Sequence, residues 1–122
     1  MGLRLELFVT DFQRSIEFYR RVLNFQVVGE VGREYTMLMN GEATISINTQ
    51  NALEPDHPLR AGNGERLGLG LEVVLSIPDI ESFYQSTKAH GHPVSELVLQ
   101  PWGLRDFRIT DPDGYYIRVT SM

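Results

Sequence analysis

Residues 3–19, LRLELFVTDFQRSIEFY, contain two patterns that decide the fold. In the first seven residues, leucines and a valine alternate with Arg4, Glu6 and Phe8, and a period of two indicates a strand with one buried face. Asp11 then offers a helix N-cap, and apolar residues follow at spacings of three to four, which is typical of an amphipathic helix. The chain therefore begins with a strand that leads directly into a helix.

The same order of patterns recurs later in the chain. An offset of 68 residues places Leu5 on Val73 and Asp11 on Asp79, so that strand phase and helix cap both repeat. Three apolar segments follow each helix, and Asn40-Gly41 between two of them is a strong hairpin signal. The pattern predicts helices over residues 12–23 and 80–89, and strands over residues 3–9, 26–31, 34–39, 43–48, 67–77, 93–99, 105–110 and 115–121.

This order predicts an α+β fold made of two tandem β-α-β-β-β modules within a single domain, residues 1–122. We expect module one at about residues 1–49, module two at about residues 67–122, and a linker rich in proline and glycine between them, at about 50–66. Each module has one helix for its sheet. We therefore expect curved mixed sheets around a cup, with the helix of each module on the outer face.

Composition excludes several classes of function. The chain has 122 residues, no cysteine and a net charge of −5, so disulfides, thiolate metal sites and a cysteine nucleophile are excluded. No cluster of Lys and Arg favours nucleic acid, and no apolar run approaches the ~18 residues of a spanning helix. The polar residues among the first eight also do not resemble a signal peptide. We expect a cytoplasmic protein that has no nucleic-acid or membrane partner.

Two stretches then resemble the signatures of the vicinal oxygen chelate superfamily, which includes glyoxalases, bleomycin-resistance proteins and ring-cleaving dioxygenases. The first is residues 9–19, VTDFQRSIEFY, and the second is residues 101–107, PWGLRDF, followed by the turn DPDG at residues 111–114. The resemblance covers essentially the whole chain. It implies the two-module fold and, for small members, a homodimer with cups shared between the subunits.

The resemblance also locates the positions that bind a metal in the metal-dependent members. These positions are occupied here by Arg4, Ser46, Glu72 and Arg118. Only Glu72 is a competent ligand for a divalent cation, because arginine stays protonated and repels a positive centre. We expect no metal and no cofactor, and instead an ion-paired cluster of Arg4, Glu72 and Arg118. The three histidines lie in the linker and at a helix end, where they are not expected to form a metal site: His57, His90 and His92.

Strand phase predicts which side chains line the cup. The ligand-binding candidates lie on the non-core phase of three strands or just before a fourth: Arg4, Glu6, Phe8, Glu72, Trp102, Tyr116 and Arg118. Two alternatives stay open. Trp102 is equally suited to be a packed core anchor, and the three charged residues of the expected cluster can equally be solvated, edge-strand charges. Of Tyr115 and Tyr116 at most one can enter the cup, because successive side chains in a strand point to opposite faces of the sheet.

The methionines could add apolar walls to the cup. Met37 and Met39 are the candidates, although filling the core or a dimer contact is the commoner role of methionine.

The resemblance implies two functions. The first is a binding protein of the bleomycin-resistance type that sequesters an antibiotic-like or aromatic ligand, without metal and without catalysis. The stretch Gln100-Pro101-Trp102-Gly103, the length and the acidity favour it. The alternative is a metal-dependent enzyme of the same superfamily, such as a glyoxalase-like lyase, an isomerase or a ring-cleaving dioxygenase. No catalytic residue is identified by the spacing, and the charge of the ligand stays open.

Overall fold

The computed structural model describes all 122 residues, which form two compact units, Met1–Leu67 and Gly68–Met122. Each unit contains one α-helix and a four-stranded mixed sheet. The predicted α+β fold of two tandem β-α-β-β-β modules is therefore confirmed. None of the helices is both long and apolar enough to cross a membrane.

The first unit has the strand order β1-β4-β3-β2, in which β1 and β4 are parallel and the other neighbours are antiparallel. A π-helical turn at Phe18–Val22 continues the helix, and a 3-10 turn at Gln50–Ala52 follows the last strand. The elements are β1 (Leu5–Val9), α1 (Phe12–Glu17), β2 (Gln26–Val28), β3 (Tyr35–Asn40) and β4 (Ala43–Thr49).

Local sequence explains where β1 and α1 begin and end. Leu7 and Val9 are buried, as the alternation predicts, while Leu3 lies exposed before the strand. Asp11 caps α1, because its Oδ1 accepts a hydrogen bond from the backbone N–H of Arg14 at 3.1 Å. The strand and the cap predicted from residues 3–19 are therefore both confirmed.

The predicted helix does not continue as a regular α-helix to residue 23. Its last part is π-helical, and the N–H of Leu23 bonds to the carbonyl of Phe18. This wider turn allows the consecutive residues Phe18 and Tyr19 both to be buried, their rings meeting edge to face with centroids 5.0 Å apart. Tyr19 also meets Phe25 edge to face. Aromatic packing thus overrides the 3.6-residue period at the end of this helix.

The second unit repeats the topology, with strand order β5-β8-β7-β6 and β5 parallel to β8. Asp79 caps its helix by accepting a hydrogen bond from the N–H of Ser82 at 3.1 Å. The side chains of Phe107, Ile109 and Ile117 form its buried core together with Val119. The elements are β5 (Glu72–Ile77), α2 (Ile80–Ala89), β6 (Val98–Leu99), β7 (Arg105–Thr110) and β8 (Tyr116–Ser121).

Three predicted strands are shorter than expected. Gly68 and Gly70 adopt positive φ angles of 76° and 81°, which form turns, so β5 begins at residue 72 rather than 67. Gly29, with φ of 79°, similarly follows the end of β2. The segment 93–99 pairs only at its end, apart from an isolated bridge between Val94 and Ile109.

Two side chains fasten part of the predicted linker to the first unit. The amide of Gln50 is buried, its Nε2 donating to the carbonyls of Phe8 and Leu59 and its Oε1 accepting from the N–H of Ala61 at 2.9 Å. Arg60 donates in return to the carbonyl of Gln50 at 2.9 Å. Residues 50–61 are therefore a pinned loop rather than a free connection.

Candidate functional site

The open face of the first sheet, meaning the face opposite its core side chains, carries Glu6, Phe8 and Ser46 of the sequence prediction. Glu6 and Ser46 are cross-strand partners on β1 and β4. Arg4 lies just before β1, and its Nε donates to Glu6 Oε2 at 2.7 Å. The other carboxylate oxygen of Glu6 accepts from Asn48 Nδ2 at 3.2 Å. The structure thus brings Arg4 and Glu6 together as an ion pair.

The same face combines a buried hydroxyl with apolar groups. Ser46 is fully buried, and its Oγ lies 3.0 Å from the hydroxyl of Tyr35, which is itself exposed. Phe8 and Met37 are half-buried, and Met39 is exposed. Sequence reasoning did not identify the polar partner Asn48, although its phase in β4 matches that of Ser46.

The open face of the second sheet carries the other predicted charges. Arg118 on β8 donates from Nε to Glu72 Oε1 on β5 at 3.3 Å. Tyr116 is the cross-strand partner of Glu72 and is half-buried, whereas its neighbour Tyr115 is buried among core residues. Tyr116 is thus the tyrosine on this face, and it lies beside the Glu72–Arg118 ion pair.

Two residues missed by the sequence reasoning complete this face. The carboxylate of Asp106 is wholly buried, and its Oδ1 accepts from Arg108 Nη1 and from Gln100 Nε2, the latter at 2.9 Å. Its Oδ2 has no hydrogen-bond partner and lies 3.9 Å from Arg118 Nη1. The alternation in β7, with Phe107 and Ile109 on the core side, is the signal that could have identified Asp106 and Arg108. We call Glu72, Asp106, Arg108, Tyr116 and Arg118 the polar cluster.

Electrostatics favour a permanently charged Arg108 within the polar cluster. Burial works to lower the pKa of Arg108, but the hydrogen bond and negative charge of Asp106, with a further contribution from Tyr116, raise it above the ordinary value. Raising an already high pKa keeps the guanidinium cationic at any pH of biological interest. This group is therefore a fixed positive charge on a half-buried face.

Trp102 lies in the turn between β6 and β7. The turn is closed by the N–H of Gly103 donating to the carbonyl of Gln100 at 2.9 Å. Trp102 is exposed, with 57% of the residue's surface accessible, so it is not a packed core anchor of this chain. An exposed indole at a hairpin tip can still contact a ligand or a partner chain.

The four positions that would hold a metal do not form a donor set in either unit. Arg4 pairs with Glu6, Ser46 contacts Tyr35, and Glu72 is engaged by Arg118. No three His, Asp or Glu side chains lie close enough together to share a cation. A carboxylate that is neutralised by a guanidinium and a lone serine hydroxyl do not fit the oxygen-rich or imidazole-rich shell of a divalent metal.

The histidines have local roles within the chain. His57 Nδ1 accepts a hydrogen bond from the N–H of Leu59 at 3.0 Å, and the Nε2 of His92 lies 2.8 Å from the carbonyl of Thr110. His90 is the C-cap residue of α2, and the following Gly91 has a φ of 74°, as the sequence predicts for a helix end.

Comparison with known proteins agrees with the fold. Residues 3–119 match the model of the Glyoxalase/Bleomycin resistance protein/Dioxygenase superfamily. Uncharacterized protein YaeR of Escherichia coli (strain K12) is 27% identical over 115 residues, which is 90% of this chain and 87% of that protein. Lactoylglutathione lyase from Agrobacterium tumefaciens superposes with a TM-score of 0.74 at 18% identity, covering 99% of this chain and 92% of that one. TnmS3, an antibiotic binding protein from Streptomyces sp. CB03234, gives 0.73 at 18% identity, covering 97% and 92%. At such identities the structural matches establish the fold only.

Proposed function

Because the chain belongs to the glyoxalase/bleomycin resistance protein/dioxygenase superfamily, we propose that it is a metal-free binding protein for small molecules. In this proposal it sequesters an antibiotic-like or aromatic compound in a cup shared between the subunits of a cytoplasmic homodimer. The observation that carries the proposal is the ion pair between Glu72 and Arg118 at two of the four positions where metal-dependent members bind their metal.

The charge at these positions supports binding without a metal. A metal-dependent lyase or dioxygenase uses a cation to polarise its substrate, and that cation needs anionic or neutral donors around it. Arg118 instead presents a fixed cation, and Glu72, the one competent ligand, is already paired with it at 3.3 Å. The ion pair of Glu72 and Arg118 therefore favours recognition of a ligand over Lewis-acid catalysis.

The apolar and aromatic groups on the open faces support a small organic ligand. Tyr35 and Met39 are exposed on the first sheet, and Val74 is exposed on the second, each close in register to polar side chains. A few placed polar groups among apolar walls are typical of small-molecule sites. A structurally similar protein, TnmS3, is described as an antibiotic binding protein, which agrees with this class of ligand.

A thermal-shift screen tests binding directly. The panel contains cationic glycopeptide antibiotics, neutral aromatic compounds and aromatic carboxylates, each up to high micromolar concentration. We expect at least one compound to raise the melting temperature in a saturable way, because a ligand that binds only the folded state stabilises it. A panel in which no compound raises the melting temperature would contradict sequestration.

Elemental analysis separates the proposal from the metal-dependent alternative. Protein purified without chelator and dialysed is expected to contain far less than one divalent metal per chain. Stoichiometric metal that survives dialysis and disappears in Glu72→Ala would overturn the metal-free proposal and favour the metal-dependent alternative. The Glu81→Ala variant is a matched control, because Glu81 pairs with Arg105 at 2.9 Å on the helix side of β7, away from the polar cluster.

Sedimentation tests the homodimer. We expect a species of about twice the chain mass of 13.9 kDa at micromolar concentration. Exposed apolar side chains such as Leu69 and Leu99 support an association of this kind. A single species at the mass of one chain would contradict the shared cup.

A further inference from the structure

Two arginines oppose each other across neighbouring strands in the second unit. Arg108 on β7 and Arg118 on β8 are direct cross-strand partners in the antiparallel register. Both side chains point to the open face and are partly accessible, 28% for Arg108 and 23% for Arg118. Like charges placed opposite each other destabilise a sheet. An arrangement that costs stability therefore needs a counter-charge.

The carboxylates of Asp106 and Glu72 provide this counter-charge, but they bind Arg108 more closely than Arg118. Asp106 is held tightly by Arg108 and Gln100 through one oxygen, and its other oxygen lies 3.9 Å from Arg118 Nη1, beyond hydrogen-bonding distance. Arg118 donates only its Nε–H, at 3.3 Å, to Glu72, whose side chain is 38% exposed. The Nη groups of Arg118 thus have no acceptor within hydrogen-bonding distance.

An incoming oxyanion would complete this arrangement. A planar carboxylate accepts two parallel hydrogen bonds from a guanidinium, and such bonds are shorter and stronger than the single Arg118–Glu72 contact. Glu72, at an edge strand and partly in water, can give way at small energetic cost. Asp106 cannot give way, because it is wholly buried and fixes Arg108 in position.

Resting on the proposed small-molecule function, we propose that Arg108 and Arg118 bind the carboxylate of a small organic anion. Asp106 is the positioning residue that holds Arg108, and Glu72 occupies the site until the ligand displaces it. In this proposal, two guanidiniums supply the positive charge that the metal-dependent members of the superfamily obtain from their metal. This assigns the ligand an acidic group, which the overall charge of −5 would not suggest.

Three ring compounds of equal size test the charge of the ligand: benzoate, benzamide and benzamidine. Each is titrated into ¹⁵N-labelled full-length protein while the arginine Nε–Hε resonances are followed by NMR. We expect benzoate to shift the signals of Arg108 and Arg118 saturably, with benzamide and benzamidine binding at least tenfold more weakly. Benzamidine or benzamide binding there as well as benzoate would overturn the anion assignment while leaving small-molecule binding in place.

Single substitutions test the residues. Arg118→Gln and Arg108→Gln are each expected to weaken benzoate binding about tenfold or more, since charge-assisted hydrogen bonds are lost. Arg105→Gln is the matched control, because Arg105 lies on the same strand but pairs with Glu81 near the helix. Glu72→Gln is expected to tighten binding about two- to fivefold by removing the competing carboxylate, an effect that a merely structural role would not produce.

The remaining outcomes are also decisive. Benzoate affinity unchanged in folded Arg118→Gln, or weakened equally in Arg105→Gln, would overturn the site. If benzoate shifts no arginine signal at all, the carboxylate site is overturned, while the thermal-shift screen, whose panel includes cationic and neutral compounds, decides the proposed function separately. Arg118→Lys replaces Arg118→Gln as the test if the glutamine variant does not fold. It keeps the positive charge but lacks the planar guanidinium that binds a carboxylate through two hydrogen bonds, so it should also weaken benzoate binding.

Discussion

The ring of Tyr115 lies directly over Gly68, so closely that a Cβ on this glycine would be 2.3 Å from Cδ1 of the tyrosine. Gly68 also has a positive φ of 76°, a backbone conformation that residues other than glycine rarely adopt. The turn that precedes β5 is thus fixed by both backbone conformation and contact with a buried aromatic ring.

Gly68→Ala is therefore expected to destabilise the protein strongly. Gly70→Ala is the matched control, because Gly70 has a similar φ of 81° but open space around its Cβ position. The control should lose about 1–2 kcal/mol from the left-handed conformation alone, and Gly68→Ala a further ~1–3 kcal/mol from overpacking. Urea denaturation measures both, and equal losses would show that the ring moves aside freely.

Removal of the N-cap of α2 is expected to cost about 1 kcal/mol in the free energy of unfolding. Asp79→Ala leaves the N–H of Ser82 without its acceptor at 3.1 Å. Asp79→Asn keeps a side-chain oxygen at the same place and should restore most of the loss. Chemical denaturation of the three proteins checks this, and an Asp79→Ala variant as stable as the parent would refute a capping role.

The buried Asp106–Arg108 pair is expected to show strong coupling in a double-mutant cycle. Asp106→Asn should cost about 2 kcal/mol or more, somewhat less than for a fully buried pair because Arg108 is 28% exposed. Once Arg108→Gln is present, the same substitution should cost clearly less. The exposed pair Arg105–Glu81 is the control, with an expected coupling of about 0–1 kcal/mol. Similar coupling energies for both pairs would contradict the special position of Asp106.

Loss of the Gln50 side chain is expected to release the loop that it pins. Gln50→Ala removes three hydrogen bonds, to Phe8, Leu59 and Ala61. At about 1 kcal/mol for each bond, the loss should speed tryptic cleavage after Arg60 by on the order of a hundredfold. Gln13→Ala, on an exposed residue of α1, should cleave at the parent rate. An unchanged rate in Gln50→Ala would show that the loop is held by other contacts.

The local sequence pattern was sufficient to predict the order of helices and strands, because strand alternation and helix caps each depend on a few neighbouring residues. Asp11, Asp79 and Gly91 have the predicted capping roles. Strand ends were harder, since the predicted strand 67–77 contains apolar residues but its glycines at 68 and 70 turn the chain instead. The π-helical turn depends on which faces of Phe18 and Tyr19 find partners, which spacing alone does not encode.

The candidate site was predicted only in part, because part of it depends on contacts between side chains that the local pattern does not encode. Period two assigned Glu72, Tyr116 and Arg118 to one face correctly. Asp106 is buried and its carboxylate is bonded by Gln100 and Arg108, which lie six and two residues away along the chain. From sequence alone a charged residue in a strand is predicted to be exposed, because the side chains that bond to it are not known. The predicted association of Arg4 with Glu72 and Arg118 stays a prediction.

The hairpin between β7 and β8 has a consequence for how this protein can change. The Asp111–Gly114 turn, closed by the N–H of Gly114 donating to the carbonyl of Asp111 at 3.0 Å, sets the register that places Arg108 opposite Arg118. A shift of β8 by one residue against β7 would exchange the two faces of β8, so that Arg118 would enter the core and Ile117 would face outward. The pairing of Arg108 with Arg118 therefore depends on the length of this turn as well as on the two residues themselves. The hairpin between β6 and β7 is restricted in the same way, because Gln100 beside its tip donates to the buried carboxylate of Asp106 at 2.9 Å.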